Sequence, residues 1–419
     1  MATSVVQSGD YLLELDTGFQ IDGFALDDAV KGVLNNTQYV LDGTTQFADI
    51  TEFTTQVTYK RGREKTDDQF GAGIMSFVMR DETGILGPYD TSSPYYDPAN
   101  SQPGLAPMRQ IRFSRDSEYL FVGYVTSYEY EFAMAGPNTV SVQCADDFYL
   151  LAQTQLDDYN VSAETSGARI TSVLALPEVS YGGTTAIDTG TVNLGHDSAY
   201  TVPAGTNTLA YLNQINQAEQ GRLFISRDGV LTFQPRIGNT LSAPIIGFKD
   251  DGTGAKYQDL SVEFDADNVI NRAYVQALNG DEATDTDAAS IAKYFTQSTS
   301  ITNSLLHTTG DVAALAAYLL EPEPEPRYTS VSTWFGSLTS LQRDDVATID
   351  IGDTISIEKV IPGLNSQLSE ELAVEGIQAT IDFNRGHSVT FYTSPTVIVY
   401  ELILDDLQYG IIDSDNVLG

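Results

Sequence analysis

Residues 119–133, YLFVGYVTSYEYEFA, place Tyr128, Tyr130 and Phe132 on one face of an extended chain and Ser127, Glu129 and Glu131 on the other. A period of two is the mark of a half-buried antiparallel strand. A Gly136-Pro137-Asn138 turn follows, and Val140, Val142 and Cys144 alternate again, so the two runs predict a hairpin. The same texture extends from Tyr11 to about Phe148 and predicts a β-rich region over 1–148. It is broken by the proline-rich stretch 87–108, GPYDTSSPYYDPANSQPGLAPM, which has no periodicity and reads as a long loop.

From 149 to 248 the pattern changes. Ser166–Leu174 reads as a short helix, and Thr206–Gln220 as a second, with Leu209, Leu212 and Ile215 at three-residue steps and Gly221 as its stop. In RLFISRDGVLTFQPR, Asp228-Gly229 between alternating runs predicts a hairpin, so this stretch is a small α+β domain. Strands resume over 249–395. One amphipathic helix, with Val312, Leu315, Ala316 and Leu319 on one stripe, interrupts them before the stiff spacer Glu321–Pro326. Ile349, Ile351, Ile355 and Ile357 alternate around a Gly352-Asp353 turn, and Ile377, Ala379 and Ile381 precede the turn at Asn384–Gly386. The expected fold class is mainly β with a smaller α+β part. Residues 396–419, which open with the apolar TVIVYELIL, are expected to dock on a body, this chain's or a neighbour's.

Chemistry is sparse. The net charge of −37 disfavours a grip on nucleic acid or an anionic membrane, since both need cations against phosphate. Yet 42% of the 419 residues are hydrophobic, which separates the chain from disordered acidic sequences. Cys144 is the sole cysteine and reads as a small buried hydrophobe. The histidines, His196, His307 and His387, stand in no metal-binding frame. The start lacks the features of a signal peptide and no long apolar run occurs, so synthesis and residence in a cytoplasm are expected.

The pairs Asp157-Asp158, Asp250-Asp251 and Asp344-Asp345 sit beside turn residues and read as solvated loops. Residues 265–268 and 281–287 offer oxygen ligands for calcium without the glycine and distal glutamate of an EF-hand. Gly71-Ala72-Gly73 lacks the rest of a nucleotide fingerprint and reads as a turn. No catalytic, cofactor-binding or metal residue is assigned and no enzymatic activity is expected. Lys60-Arg61-Gly62-Arg63 is a local basic cluster whose expected partner is an acidic protein surface, against a solvated strand end.

At that cluster the sequence resembles minor tail proteins of long-tailed, non-contractile bacteriophages. The run Asp49-Ile50-Thr51, then Val57 to Arg61-Gly62-Arg63, then Phe70-Gly71-Ala72-Gly73 and Ile74–Val78 is similar to that family's opening domain. Gln110–Phe113, Phe121–Gly123, Val140–Asp146, Glu219–Phe224 with Asp228-Gly229 and Phe233–Arg236, Val269–Arg272 and Ile351–Thr354 follow in the family's order, roughly over 40–395. The resemblance implies two antiparallel β-barrel-like, tail-tube-like domains, 1–148 and 249–395, flanking the α+β insert 149–248.

It further implies a homotrimeric, baseplate-hub-like protein of the virion tail tip, assembled in the host cytoplasm. Such a hub joins the distal tail protein and tail tube, with the tape measure protein, to tip or fibre proteins. DNA passes only in transit and no membrane is stably bound. The six-fold distal tail collar is the nearest alternative. A carbohydrate-binding adhesin, using the loop aromatics Tyr89, Tyr95 and Tyr96, is a different one.

Overall fold

The computed structural model describes residues 10–19, 47–65, 68–97, 100–134, 136–195, 200–236, 243–360 and 367–395. His196 and the segment 396–419 lie outside them. The chain is mainly β, and its described residues are organised on one large sheet of 13 strands.

The N-terminal part supplies β1 (Tyr11–Asp16), β2 (Phe47–Asp49), β3 (Thr54–Gly62), β4 (Ile74–Asp81), β7 (Gln110–Arg115), β8 (Glu118–Glu131) and β9 (Asn138–Ala145). The small hairpin of β5 (Tyr96–Asp97) and β6 (Gln102–Pro103) lies inside the long loop. The alternation in β8 and β9 forms the expected hairpin, Tyr128 opposite Val142 and Tyr130 opposite Val140. A bulge between Val125 and Ser127 shifts the phase of β8. Odd-numbered Phe121 and Val125 therefore face the core before it, while even-numbered Tyr128, Tyr130 and Phe132 stack along one face after it. Cys144 is buried in this core, as its apolar neighbours in the alternation require.

The middle of the chain begins with α1 (Asp147–Gln153), and α2 (Ser166–Leu174) covers the predicted stretch. Short ribbons pair β10 (Gln155–Leu156) with β16 (Thr206–Asn207), β11 (Tyr159–Val161) with β15 (Tyr200–Val202), and β12 (Glu164–Thr165) with β14 (Asn193–Leu194). Helix α3 (Thr208–Glu219) is capped by Asn207. It stops one residue before the expected stop: Gln220 takes the left-handed conformation. Gly221 is needed for another reason, because a Cβ there would meet the Gln234 carbonyl at 2.4 Å. The predicted hairpin is β17 (Arg222–Ile225) with β18 (Leu231–Gln234), turned at Gly229 with φ of 78°, and β13 (Thr185–Ile187) adds to β18 in parallel.

The last part returns to the large sheet through β19 (Gly247–Lys249), β20 (Asp259–Glu263), β24 (Arg327–Trp334), β25 (Thr354–Val360), β26 (Gln367–Asp382) and β27 (Gly386–Pro395). Helix α6 (Ser340–Thr348) starts at a capping box of Thr339 and Gln342 that the periodicity reading did not register. Between β20 and β24 the chain leaves the sheet. There β21 (Arg272–Ala277), β22 (Glu282–Thr286), α4 (Ala288–Tyr294), β23 (Ser298–Ser304) and α5 (Thr309–Tyr318) form a three-stranded sheet with two helices. Val275, Ile301, Leu306, Val312 and Leu315 join the core of the α+β part.

The order of the large sheet is β2-β1-β7-β8-β9-β4-β3-β26-β27-β24-β20, with β25 on β26 and β19 on β25. Its seam is β3 against β26, paired from Gly62↔Gly376 to Gln56↔Asp382. N- and C-terminal strands thus share one core, in which Phe77 and Phe113 lie with Ile357 and Phe391. Among the described residues the strand path is open, with β2 and β20 at its two ends.

Candidate functional site

The long strand β26 has two partners on one edge. Residues 367–373 pair with β25 and residues 376–382 pair with β3. Glu375 sits where one partner gives way to the other, at a bulge between Val374 and Gly376 in the β26–β27 register. A bulge re-aims a side chain that regular pairing would fix. Here the carboxylate is buried (2% exposed), and it accepts from Arg63 Nε at 2.9 Å, Arg222 Nη2 at 2.9 Å and Ser394 Oγ at 2.8 Å. Burial alone would raise its pKa, but the Arg222 and Arg63 guanidiniums outweigh it and hold the group down at about 2.

The glycines of the cluster make the crossing possible. Gly62 has φ of 80°, and a Cβ there would stand 2.3 Å from the Glu375 carbonyl oxygen. A Cβ on Gly376 would stand 2.3 Å from the Arg63 carbonyl oxygen. No other residue type fits either place without backbone movement.

Arg61, also buried, donates to Asp350 Oδ1 at 2.6 Å. Asp350 Oδ2 accepts from the Arg227 backbone N–H at 2.7 Å, and the Arg227 guanidinium reaches Glu118 at 2.9 Å. The Arg63 guanidinium also lies 4.6 Å from the Phe70 ring centroid, a cation–π contact. The basic cluster is therefore a joint between the large sheet and the β17–β18 hairpin. Its acidic partners are the chain's own Asp350 and Glu375, which corrects the expected docking on another protein. Lys60, 36% exposed and paired with Glu64, remains at the surface.

Gly73 belongs to the same joint. Its N–H donates to Asp146 Oδ2 at 2.7 Å, and Asp146 Oδ1 accepts from Phe148 N–H at 3.0 Å as the cap of α1. A Cβ at Gly73 would lie 2.6 Å from that carboxylate, so the Gly71–Gly73 stretch is a close approach of backbone to side chain. Burial pushes the Asp146 carboxyl up to about 8, against the pull of the two N–H donors. A carboxyl raised in the folded state holds an extra proton there between its unfolded value near 4 and about 8, so its contribution to stability falls as pH rises through that interval. Denaturant titrations between pH 5 and 8 should show that slope in the parent and less of it in Asp146→Asn.

Asp265 caps the turn at Asp267 and Asp287 caps α4 by accepting from Ser290 N–H. No group of three or more His, Cys, Asp or Glu among the described residues could hold a metal ion. Buried His387 accepts or donates at Nδ1 with the Tyr11 hydroxyl, 2.9 Å away, and stacks on Phe335 at 3.8 Å; burial, with Arg115 nearby, pushes its pKa down to about 3. Just before the 87–108 loop Asp81 ties down the Gly84 and Leu86 N–H groups and Leu86 enters the core, as Leu105 does from within the loop. Tyr95 packs edge-on to Phe53, so of the three loop tyrosines only Tyr89, at 85%, is fully exposed. No described helix is long and apolar enough to cross a membrane.

Sequence reading found the arginines of the joint but missed Glu375 and Glu219. A charged residue inside the apolar run Leu372–Ile377 was the available signal for Glu375, whereas Glu219, among Gln217, Ala218, Gln220 and Gly221, carried none. Nothing in the spacing reveals that residues 63, 222 and 375 meet.

The architecture aligns over nearly its whole length with a tail protein from Neisseria meningitidis MC58, at a TM-score of 0.56 and 11% identity, covering 93% of this chain and 97% of that one. This is a tail-protein fold. The 43 kDa tail protein of prophage MuSo2 from Shewanella oneidensis aligns as well, at 0.53 and 14% identity, covering 92% and 97%. No family model and no curated protein matches the sequence. At such identities the fold is shared with few residues in common.

Proposed function

We infer that this chain is a structural protein of a bacteriophage tail, and within it the homotrimeric hub at the tip of a long, non-contractile tail. The observation that carries the reading is the fold shared end to end with two tail proteins. The ordered motif series adds to it, because Arg61, Gly62, Arg63 and Gly73 of that series turn out to be the joint residues. The β3–β26 seam sets the regions 1–148 and 249–395 side by side. Each contributes one tube-like unit, and three chains then offer six units to a six-fold tube and a three-fold face to fibres. The distal tail protein, tail tube and tape measure protein lie on one side and tip or fibre proteins on the other. With −37 charges per chain, the channel repels DNA and lets it slide through.

Electron microscopy of the purified oligomer or of virions tests this. Three-fold symmetry at the tail tip is the expected result. Six-fold symmetry would make the chain the collar above the hub, and a lone monomer at a fibre end would support an adhesin.

A further inference from the structure

The large sheet ends at β20, which pairs with β24 and has no strand on its other side among the described residues. An open edge presents a row of unpaired N–H and C=O groups that a protein must cover or blunt. Asp259 and Glu263 put charge at its two ends, while Ser261 and Val262 between them leave the middle of the edge uncharged. All but one of its five residues are exposed, the exception, Leu260, packs on the core, and at period two from it Val262 is 47% and Phe264 68% exposed. Beside Phe264 lies a hollow of about 210 Å³ lined by Ala266, Val269, Tyr294 and Pro324 together with the polar Asp265 and Gln297. For scale, an apolar cavity of about 150 Å³ accepts a benzene ring.

The register of the sheet says what can reach this edge. Ser261 pairs with Ser330, and Ser330 with Tyr392, so these residues form one row across β20, β24 and β27. Both outer strands are antiparallel to β24, hence parallel to each other. Three residues beyond that row, β27 finishes at Pro395, at the end of the sheet where Glu263 closes β20. Two strand spacings, about 10 Å, separate them. The next residues are Thr396–Leu404, TVIVYELIL, the most apolar run near the chain end. Nine extended residues span about 30 Å. Four suffice to pass β24 and β20, and the rest match the five residues of the open strand in length and in antiparallel direction.

We propose that residues 396–404 dock along the open edge of β20 in the same chain, with apolar side chains over Val262, Phe264 and the adjacent hollow. Main-chain hydrogen bonds supply the attachment and the alternating apolar residues its register, as in strand addition generally. The assignment stands apart from the hub reading, since it requires no second subunit.

The test uses the full chain. Val262→Cys is combined in turn with Tyr400→Cys, Glu401→Cys, Leu402→Cys, Ile403→Cys and Leu404→Cys, so that both faces of the docked strand are sampled, oxidised mildly and mapped by peptide mass spectrometry. At least one pair should form an intrachain disulfide, while Thr83→Cys with the same partners, on an exposed loop elsewhere, should not. In parallel, amide exchange of residues 259–264 should quicken about ten-fold or more in Leu402→Asp/Leu404→Asp, with β26 unchanged. Cross-links found only between chains would hand the edge to a second copy and overturn the proposal. So would no cross-link from any pair, or exchange indifferent to the aspartates.

Discussion

Glu375→Ala should destabilise the protein by about 3–5 kcal/mol at pH 7, the usual result of removing one member of a buried ion group and leaving the others uncompensated. Arg63 and Arg222 would face each other across the vacated bulge, and Ser394 would lose its acceptor. Glu375→Gln, which keeps an acceptor oxygen but not the charge, should fall between parent and alanine. Denaturant unfolding at neutral pH measures all three. The acid side has a definite sign. A carboxylate whose folded pKa, about 2, lies below its unfolded value near 4.3 contributes stability that is complete above about pH 5 and is lost as pH falls through 2. The difference corresponds to about 3 kcal/mol. Glu375→Gln should therefore unfold with a flatter acid limb, and an unchanged limb would mean that another group carries it.

The part of this molecule that local pattern governs was legible in its sequence. Strand alternation in β8, β9 and β26, the extent of α2 and the Asp228-Gly229 hairpin all follow from contacts within a few residues, which periodicity reports. The stop of α3 was misplaced by one residue because glycine was taken as a conformational signal, whereas Gly221 answers to a strand across the hairpin. The joint was illegible for a related reason. Arg61 and Asp350 are 289 residues apart, and their meeting depends on β3 finding β26, a pairing that no local rule encodes. Two separately folded β regions and one continuous sheet give the same alternation. Reading Lys60–Arg63 as a docking patch followed from that gap, since a chain of −37 offers its own carboxylates first.

The second large effect is expected at Glu219. It is the last residue of α3, where the helix dipole disfavours an anion. It is also fully buried, and no cation pairs with it among the described residues. What holds it is a set of neutral donors: Ser166 Oγ at 2.7 Å, Thr191 Oγ1 at 2.5 Å, and the backbone N–H groups of Thr191 and Val192 at 3.2 and 3.0 Å. Those donors belong to the N-terminus of α2 and to the strap around Gly190, where φ is 80° and a Cβ would overlap Ser166 Oγ. The carboxylate thus closes the strap against two helices at once. Glu219→Ala would leave several buried donors unmet, each costing about 1–3 kcal/mol, so a loss of about 3 kcal/mol or more is expected. Glu219→Gln should also be costly, because its amide N–H₂ would turn a donor toward donors. Amide exchange locates the effect: residues 188–195 should open well before the β3–β26 seam. If strap and seam lost protection together, Glu219 would be holding the whole fold, and the α+β core would have no stability separate from that of the large sheet.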